Sequence, residues 1–395
     1  MKSVLILGYG STGQDIEKYL ISKKIKYFIH DDNEYVPSKL KFQIGELSNL
    51  ETIYISPGIN HDHDILKLAL LNNITVTNDI ELFNELDEKK LIGVTGTNGK
   101  TSFITLLNKI LNQHDYRSNV AGNIGSSPLN LLSDTGNYDY LILELSSFQL
   151  SHINNLKLDT SIILNIHEDH IDWHGSFKDY AKSKLKIFNF TQNEDKKFIG
   201  SVDSEIINQN LIPNNVTHVN EDELFNLENY FDDFVSMFIQ VCNNFSITKD
   251  DVLDFLSSEV AVEHRFERFH TVNNVKFIND SKSTNLESVN KASFKVRDSL
   301  LVMHGLSKGI DSNKLLISKE VKTILIPKNS EFNVSKYKDI VVEYENLKEM
   351  ESFIISNYKK YRTVLFSCGG SSFSDFKNYI ARGKYFKEMV QAKIK

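Results

Sequence analysis

The stretch that most limits what this chain can fold into is Leu91-Ile-Gly-Val-Thr-Gly-Thr-Asn-Gly-Lys-Thr-Ser102, an apolar run broken by glycines, a lysine and hydroxyls, with a helical pattern over residues 103–111 after it. A strand, a tight glycine turn and a helix in that order point to a parallel α/β sheet. Gly96 and Gly99 let the backbone turn tightly enough for N–H groups to face phosphate oxygens. Lys100 supplies positive charge, and the hydroxyls of Thr101 and Ser102 follow, Thr101 in position to reach Mg²⁺. The stretch reads as a cradle for a nucleoside triphosphate. The strict spacing G-x-x-x-x-G-K-[ST] is not met, because its first glycine falls at Val94. That departure marks a subclass built on Gly-Thr-Asn-Gly-Lys-Thr rather than a generic ATPase loop.

A second glycine pattern opens the chain: an apolar run at residues 4–7, then Gly8-Tyr-Gly-Ser-Thr-Gly13, a helical stretch 14–22 and a second apolar run 27–30 ending in Asp31-Asp32. Gly8, Gly10 and Gly13 fit G-x-G-x-x-G, with an acidic pair about 20 residues on, half of a Rossmann-like unit. From the residues alone it can serve a nicotinamide dinucleotide, another diphosphate, or only the packing of a helix on a sheet. Met1-Lys2-Ser3 leads straight into the first run, which predicts a strand and no signal segment. The unit continues through Thr52-Ile-Tyr-Ile-Ser-Pro-Gly58 and Thr75-Val-Thr-Asn-Asp-Ile-Glu-Leu-Phe83, and a charged stretch at 85–90 marks a first boundary. Past the glycine loop, 140–145 and 161–166 read as strands; residues 196–248 are Asn- and Asp-rich with weak periodicity, 231–245 excepted as a helix. Runs at 275–278, 300–303, 323–326, 340–342 and 364–366 then predict a third parallel sheet.

With 395 residues there is room for two or three domains. A net charge of −7 argues against an electrostatic nucleic-acid partner, and no apolar run approaches the roughly 18 residues of a membrane span. Cys242 and Cys368 lack metal-ligand spacing and suit a reducing cytoplasm.

Several polar residues fall at strand ends, where open parallel sheets hold their ligands. Glu144 closes the run Tyr140-Leu-Ile-Leu-Glu144; a carboxylate there is costly unless it meets a cation or local N–H groups. Ile162-Ile-Leu-Asn-Ile-His-Glu-Asp-His170 places Asn165, His167, Glu168, Asp169 and His170 just past another strand. His170 can bind a metal through neutral imidazole, oriented by Glu168 or Asp169, or be structural. Lys184, in Tyr180-Ala-Lys-Ser-Lys-Leu-Lys-Ile-Phe188, reads by itself as a solvated cation. Arg265 and Asp280 can hold a nucleobase or ribose. Lys308, and Ser371-Ser372 at an expected helix start, look like anion contacts or else a turn and a cap.

Taken together, these motifs resemble those of the Mur ligases of peptidoglycan synthesis over nearly the whole chain. The carrying residues are Gly93-Val-Thr-Gly-Thr-Asn-Gly-Lys-Thr101, Gly122-Asn-Ile-Gly125, Leu143-Glu-Leu-Ser-Ser-Phe-Gln-Leu150, Asn165-Ile-His-Glu-Asp-His170, His264-Arg-Phe266, Asn279-Asp-Ser-Lys-Ser-Thr-Asn285 and Lys308-Gly-Ile-Asp311. The glycine loop, Glu-Asp-His and Asp-Ser-Lys sets are shared with folylpolyglutamate synthases. Ser-Ser-Phe-Gln-Leu150 and Phe376-Lys-Asn-Tyr-Ile-Ala-Arg-Gly383 resemble the branch that joins D-glutamate to UDP-N-acetylmuramoyl-L-alanine, and the Asp-Asn-Pro-Arg of the diamino-acid branch is absent from the sequence.

The resemblance implies an α/β protein of three domains: a Rossmann-like UDP-binding domain over 1–88, a central P-loop ATPase-type parallel-sheet domain over 89–262, and a Rossmann-like amino-acid-binding domain over 263–395. It implies an ATP-dependent amide ligase, in which a substrate carboxylate attacks the γ-phosphate and the amine of D-glutamate then attacks the acyl phosphate, releasing phosphate. Lys100, Glu144, His170 and Lys184 would be the catalytic set. ATP would lie on Gly96, Thr97, Asn98, Gly99, Lys100, Thr101 and Ser102, with Arg265 and Asp280 toward its ribose and base. Two Mg²⁺ ions are implied, one on Thr101 and Glu144, the other on His170 and on Lys184, which matches a position carbamylated by CO₂ in the family and so turned into an oxygen ligand. The UDP substrate would meet Gly10, Ser11, Thr12, Asp32, Ser56, Pro57, Gly58 and Asn123, so the first glycine turn would serve uridine diphosphate. Lys282, Thr284, Lys308, Ser372 and Tyr379 would gather around the carboxylates of D-glutamate. The implied setting is a cytoplasmic monomer acting on small molecules, with neither nucleic acid nor membrane span.

The chain departs from the family at three places. Glu228-Asn229-Tyr-Phe-Asp232 carries aspartate where an adenine-contacting asparagine is usual, Asp32-Asn33 replace a commoner Thr-Arg, and the centre is shortened around 197–224. Competing readings are another amide ligase of the superfamily, acting on a different UDP-muramoyl peptide or on folate, and a nucleotide-binding scaffold without turnover.

Overall fold

The structure is a computed structural model that describes residues 3–33, 36–60, 62–86, 88–123, 131, 138–220, 223–225, 227–306, 314–328 and 330–394. Three sheets carry it. In the first, Tyr27–His30, Ser3–Leu7, Leu50–Ile55 and Thr75–Thr77 lie side by side in that order, all parallel. Every residue of Ser3–Leu7 is buried, since apolar clusters cover both faces of a central parallel strand.

The second sheet runs Thr217–His218, Lys197–Val202, Thr160–Ile166, Lys90–Thr95, Tyr140–Glu144, Ser118–Gly122, again all parallel. Lys90–Thr95 lies inside it, so the glycine loop leaves the sheet between the ends of the strands that carry Glu144 and Asn165. Two of its strands, Lys197–Val202 and Thr217–His218, lie in the stretch that reads as weakly periodic.

The third sheet orders Glu267–Val272, Val275–Asp280, Thr363–Gly369, Ser299–His304, Val321–Pro327 and Val341–Tyr344. Five of these strands are the expected parallel set. The sixth, Glu267–Val272, is an antiparallel edge strand that the sequence reading missed. It is joined to its neighbour by Asn273-Asn274 alone, both with positive φ (49° and 62°), a two-residue hairpin turn that asparagine tolerates.

The chain divides into two compact units. Met1–Ile166, Lys178–Asp222 and Ser236–Val252 hold the first two sheets; His167–Phe177, Glu223–Val235 and Leu253–Lys395 hold the third. Among the described residues no helix is long and apolar enough to cross a membrane.

Candidate active site

The glycine loop is held open by its own backbone. Gly96 (φ 156°) and Gly99 (φ 84°) occupy conformations that a side chain resists, and Gly99 caps the helix Lys100–Gln113. Asn165, at the end of the adjacent strand, fastens the loop: its carbonyl accepts from Thr97 N at 3.0 Å, and its Oδ1 accepts from Asn98 N at 2.8 Å. Lys100 Nζ donates to the carbonyls of Gly96 (2.7 Å) and Thr97 (3.2 Å). A cation and a helix N-terminus therefore meet at one loop whose Thr97 and Asn98 amides are held by Asn165, the chemistry that receives a polyphosphate.

Beside it stands Glu144, 2% exposed at the end of its strand. Thr101 Oγ1 donates to Glu144 Oε2 at 2.9 Å, and Asn123 Nδ2 donates to Oε1 at 3.1 Å. Asn123 N also donates to the Glu144 carbonyl at 2.9 Å, so one residue orients both ends of the glutamate. Gly122 makes this possible, for at φ 98° a Cβ would overlap that carbonyl. A hydroxyl and a carboxylate facing each other at a helix start form a hard-oxygen pair of the kind Mg²⁺ takes.

Lys184 is not the solvated cation its own stretch suggests: it is 1% exposed. Its Nζ donates to the Gly96 carbonyl at 2.9 Å and lies 4.8 Å from the centroid of the Tyr180 ring, one turn earlier on the helix Phe177–Leu185. Tyr180 Oη meets Thr97 Oγ1 at 3.0 Å. Tyr180 had no assigned role in the sequence reading; only its four-residue spacing from Lys184 could have marked it.

In the first sheet, Gly8 (φ 91°) and Gly13 sit where a Cβ would meet Ser56 and the Gly8 carbonyl respectively. Ser56 Oγ donates to Gly8 O at 2.8 Å, and Tyr9 N donates to Asp31 Oδ2 at 2.5 Å. Gly10, Ser11 and Thr12 open the helix Ser11–Ser22, and Pro57 and Gly58 form the turn after Leu50–Ile55. Asp32 bridges His30 Nε2 (3.1 Å) and His63 Nε2 (3.3 Å). These three could be taken for a metal cluster. Yet His63 Nδ1 accepts from Ile65 N at 3.2 Å, so the ring proton sits on Nε2 and leaves no lone pair there for an ion.

In the second unit, Asp280 Oδ1 accepts from Phe266 N at 3.1 Å and Oδ2 from Ser367 Oγ at 2.7 Å. Desolvation pushes the carboxyl up to about 7, against the pull of those bonds and of Arg265 and Arg382. Lys282 Nζ lies 4.1 Å from the centroid of the Tyr379 ring, and Thr284 is half-buried. Ser372 is buried in a turn seven residues before the helix Tyr379–Lys393, which Asn378 caps; the expected helix start at Ser371-Ser372 is thus corrected. Lys308 lies outside the described residues.

Arg382 lies in Phe376-Lys-Asn-Tyr-Ile-Ala-Arg-Gly383, where nothing in the local sequence marks the part it plays. It is fully buried, and donates to the carbonyls of His304 (3.0 Å), Gly370 (2.9 Å) and Ser281 (2.8 Å), tying together the outflow of three neighbouring strands. His304 beside it is held down to about 4 by burial and by the arginine, and so is neutral at pH 7.

His170 caps the short helix Ile171–His174 with a positive φ of 53°. Its Nε2 lies 3.8 Å from Asp169 Oδ2, an ion-pair distance and not a hydrogen bond.

The Mur ligase middle domain family matches residues 94–223. A UDP-N-acetylmuramoylalanine–D-glutamate ligase from Thermosipho africanus is 31% identical over 418 residues, covering 98% of this chain and 97% of its own. A protein of the same name from Buchnera aphidicola is 32% identical over 437 residues, covering 99% and 98%. Among solved structures, a pseudomurein peptide ligase type C from Methanothermus fervidus shares the fold at a TM-score of 0.60 and 15% identity, over 99% of this chain and 100% of its own.

Proposed function

The chain belongs to the Mur ligase family, and from that premise we infer how it works as the ATP-dependent ligase that adds D-glutamate to UDP-N-acetylmuramoyl-L-alanine in peptidoglycan precursor synthesis. The observation that carries this reading is likeness along the full chain to D-glutamate ligases at 30 to 32% identity.

Residues 1–88 take the UDP, through Gly10, Ser11 and Thr12 at the helix start and through Asp32, Ser56, Pro57 and Gly58. Residues 89–262 bind ATP, and residues 263–395 the incoming amino acid. The start of the helix Lys100–Gln113 and the Lys100 ammonium hold the β- and γ-phosphates, with Ser102 beside them and Gly96, Thr97, Asn98 and Gly99 forming the loop around them, while Asp280 and Arg265 take the ribose and base side. The facing oxygens of Thr101 and Glu144 support one Mg²⁺ site. His170 and Lys184, once carbamylated by CO₂, make the second; burial of the lysine against the Gly96 carbonyl keeps it beside the phosphate loop. Bound there, Mg²⁺ supplies neutralisation of phosphate charge.

Asn123 orients Glu144 and the muramoyl-alanine carboxylate. That carboxylate attacks the γ-phosphorus and ADP leaves; the amine of D-glutamate then attacks the acyl carbon, the C–O bond to phosphate breaks, and inorganic phosphate leaves as the nitrogen gives up its proton, while the carboxylates of D-glutamate lie against Lys282, Thr284, Lys308, Ser372 and Tyr379. Catalysis is thus mostly positioning and charge neutralisation. The setting of the proposal is the cytoplasm, where the two free, buried cysteines stay reduced.

The test is phosphate release from ATP with Mg²⁺ and UDP-N-acetylmuramoyl-L-alanine, comparing D-glutamate with L-glutamate, D-alanine, meso-diaminopimelate and no amino acid. Release should require both the UDP substrate and D-glutamate; release with a different amino acid would move the pathway step. In the same assay Lys184→Ala should lose activity by about 10²-fold or more, with partial recovery in bicarbonate or acetate. Full activity in that variant would sink the ligand role of Lys184.

A further inference from the structure

Residues 167–177 leave the central strand Thr160–Ile166 and yet belong to the compact unit of the third sheet. Each of the first three meets a partner there. His167 Nε2 lies 4.0 Å from Glu287 Oε1, Glu168 Oε2 lies 2.6 Å from Lys314 Nζ, and Asp169 Oδ2 accepts from Asn285 Nδ2 at 3.3 Å.

The partners converge on one helix, Leu286–Phe294. Asn285 is its N-cap, with Oδ1 accepting from Ser288 N at 3.0 Å, so a single amide both caps the helix and grips Asp169. Glu287 lies in its first turn. Asn290, further along, donates to the Lys314 carbonyl at 3.0 Å and accepts from Leu316 N at 2.9 Å, which fixes the backbone under Lys314 to the same helix. Lys314 Nζ also lies 5.6 Å from the centroid of the Phe177 ring, so this one cation touches the segment near both ends. Between the two points lie His170 and Trp173.

We propose that Glu168, Asp169, Asn285 and Lys314 form a clasp that positions His170, and that the helix beginning at Leu286 couples it to the amino-acid site. The coupling follows from chain order: Asn285 directly follows Thr284 and lies three residues after Lys282, both assigned to D-glutamate in the reading above, and the inference rests on that reading. Occupation of those residues steadies the cap, the cap holds Asp169, and Asp169 precedes the metal-binding histidine. None of the four touches a reacting atom; they are positioning residues. Glu168 Oε2 is buried while the Lys314 side chain is 40% accessible, so loss of the lysine leaves a covered carboxylate oxygen and should be felt first within the segment.

Trp173 is the only tryptophan of the chain and lies inside the clasped segment, so its fluorescence reports on that segment alone. In Lys314→Ala, acrylamide quenching of Trp173 should rise about twofold. The Mg²⁺ concentration for half-maximal activity should rise about tenfold, while KM for the UDP substrate stays as it is. The exchanged pair Glu168→Lys with Lys314→Glu should bring both readouts back toward the unsubstituted enzyme, and D-glutamate should reduce Trp173 quenching in the unsubstituted enzyme but not in Lys314→Ala. Unchanged quenching in Lys314→Ala, or an exchanged pair no better than the single variant, overturns the clasp. Altered quenching with an unaltered Mg²⁺ requirement overturns its part in catalysis. Absence of D-glutamate-dependent phosphate release in the unsubstituted enzyme is the separate outcome that would defeat the underlying reading.

Discussion

Asp280 is a carboxylate in a place where charge is hard to keep. Desolvation lifts it to about 7 although Ser367 and the Phe266 amide both donate to it. A carboxylate that holds a ribose hydroxyl must be ionised to accept its proton, so ATP binding should weaken as pH falls through this value. With a midpoint near 7, the ionised fraction drops about tenfold between pH 8 and pH 6, and KM for ATP should rise by about that factor. Stability moves the other way. The folded state holds a proton that the unfolded state releases, so this group disfavours folding above about pH 7, and the penalty fades as pH falls toward the ordinary carboxylate range. Asp280→Asn should therefore be more stable than the parent at pH 8 while its KM for ATP is high and flat with pH. Steady-state kinetics and thermal melts from pH 6 to pH 8 check both; a pH-dependent KM that persists in Asp280→Asn would rule this carboxylate out as its source.

Strand ends set the chemistry of this protein, and Gly122 shows how narrowly. Its strand pairs in parallel register with the one ending at Glu144, and its positive φ turns the chain back so that Asn123 can hold the glutamate by both backbone and side chain. Gly122→Ala adds a Cβ against the Glu144 carbonyl in a conformation that L side chains avoid. The expected loss is about 2 to 4 kcal/mol in urea unfolding, together with a fall in kcat, because relief of the overlap must move either Glu144 or Asn123. Wild-type stability and turnover in the variant would show that the strand end has slack. Features of this kind were legible in the sequence where a local run decides them: the apolar strands of the first sheet, those at 140–144 and 160–166, the five parallel strands of the third sheet, the glycine turns, and Glu144 closing an apolar run; the strands Ser118–Gly122, Lys197–Val202 and Thr217–His218 were not. Other features depend on partners far along the chain. Lys184 reads as exposed because nothing near it tells that Gly96, 88 residues away, will cover it. The edge strand Glu267–Val272 is hidden by a turn of only two asparagines, and Ser372 reads as a helix start because Asn378, the true cap, comes six residues later.

Across the molecule, two of the three sheets share one compact unit, and asparagine side chains bond across their seam together with Glu81, which accepts from the Asn154 and Asn155 amides. The stretch from Val76 through the short helix Asp79–Glu85 faces residues 149–157 of the second sheet's connections. Asn78 Nδ2 donates to the Gln149 carbonyl at 2.8 Å, Asn84 Nδ2 to the Asn155 carbonyl at 2.7 Å, and Asn154 Nδ2 back to the Val76 carbonyl at 2.7 Å. Gln149 also closes a capping box with Ser146, two residues past Glu144, so the seam reaches the active-site strand through one short helix. The Ser-Ser-Phe-Gln-Leu motif is thereby explained as architecture: it caps, turns and docks. Asn78 is 2% exposed and works twice, since its Oδ1 also accepts from Ile80 N at 3.1 Å. Asn78→Ala strips the cap and orphans a buried carbonyl, a loss of about 2 to 4 kcal/mol. Asn78→Ser keeps a cap acceptor and removes the donor to Gln149, and should fall between the parent and Asn78→Ala. Hydrogen exchange separates the seam from the fold as a whole. In the unsubstituted protein Asp79–Glu85 and Ser147–His152 should open together; in Asn78→Ala the first should exchange faster while Lys90–Thr95 keeps its protection. Equal acceleration of all three segments would mean that the two sheets unfold as one body whatever holds the seam, and unchanged exchange would mean that the bonds of Asn84, Asn154 and Glu81 suffice to close it.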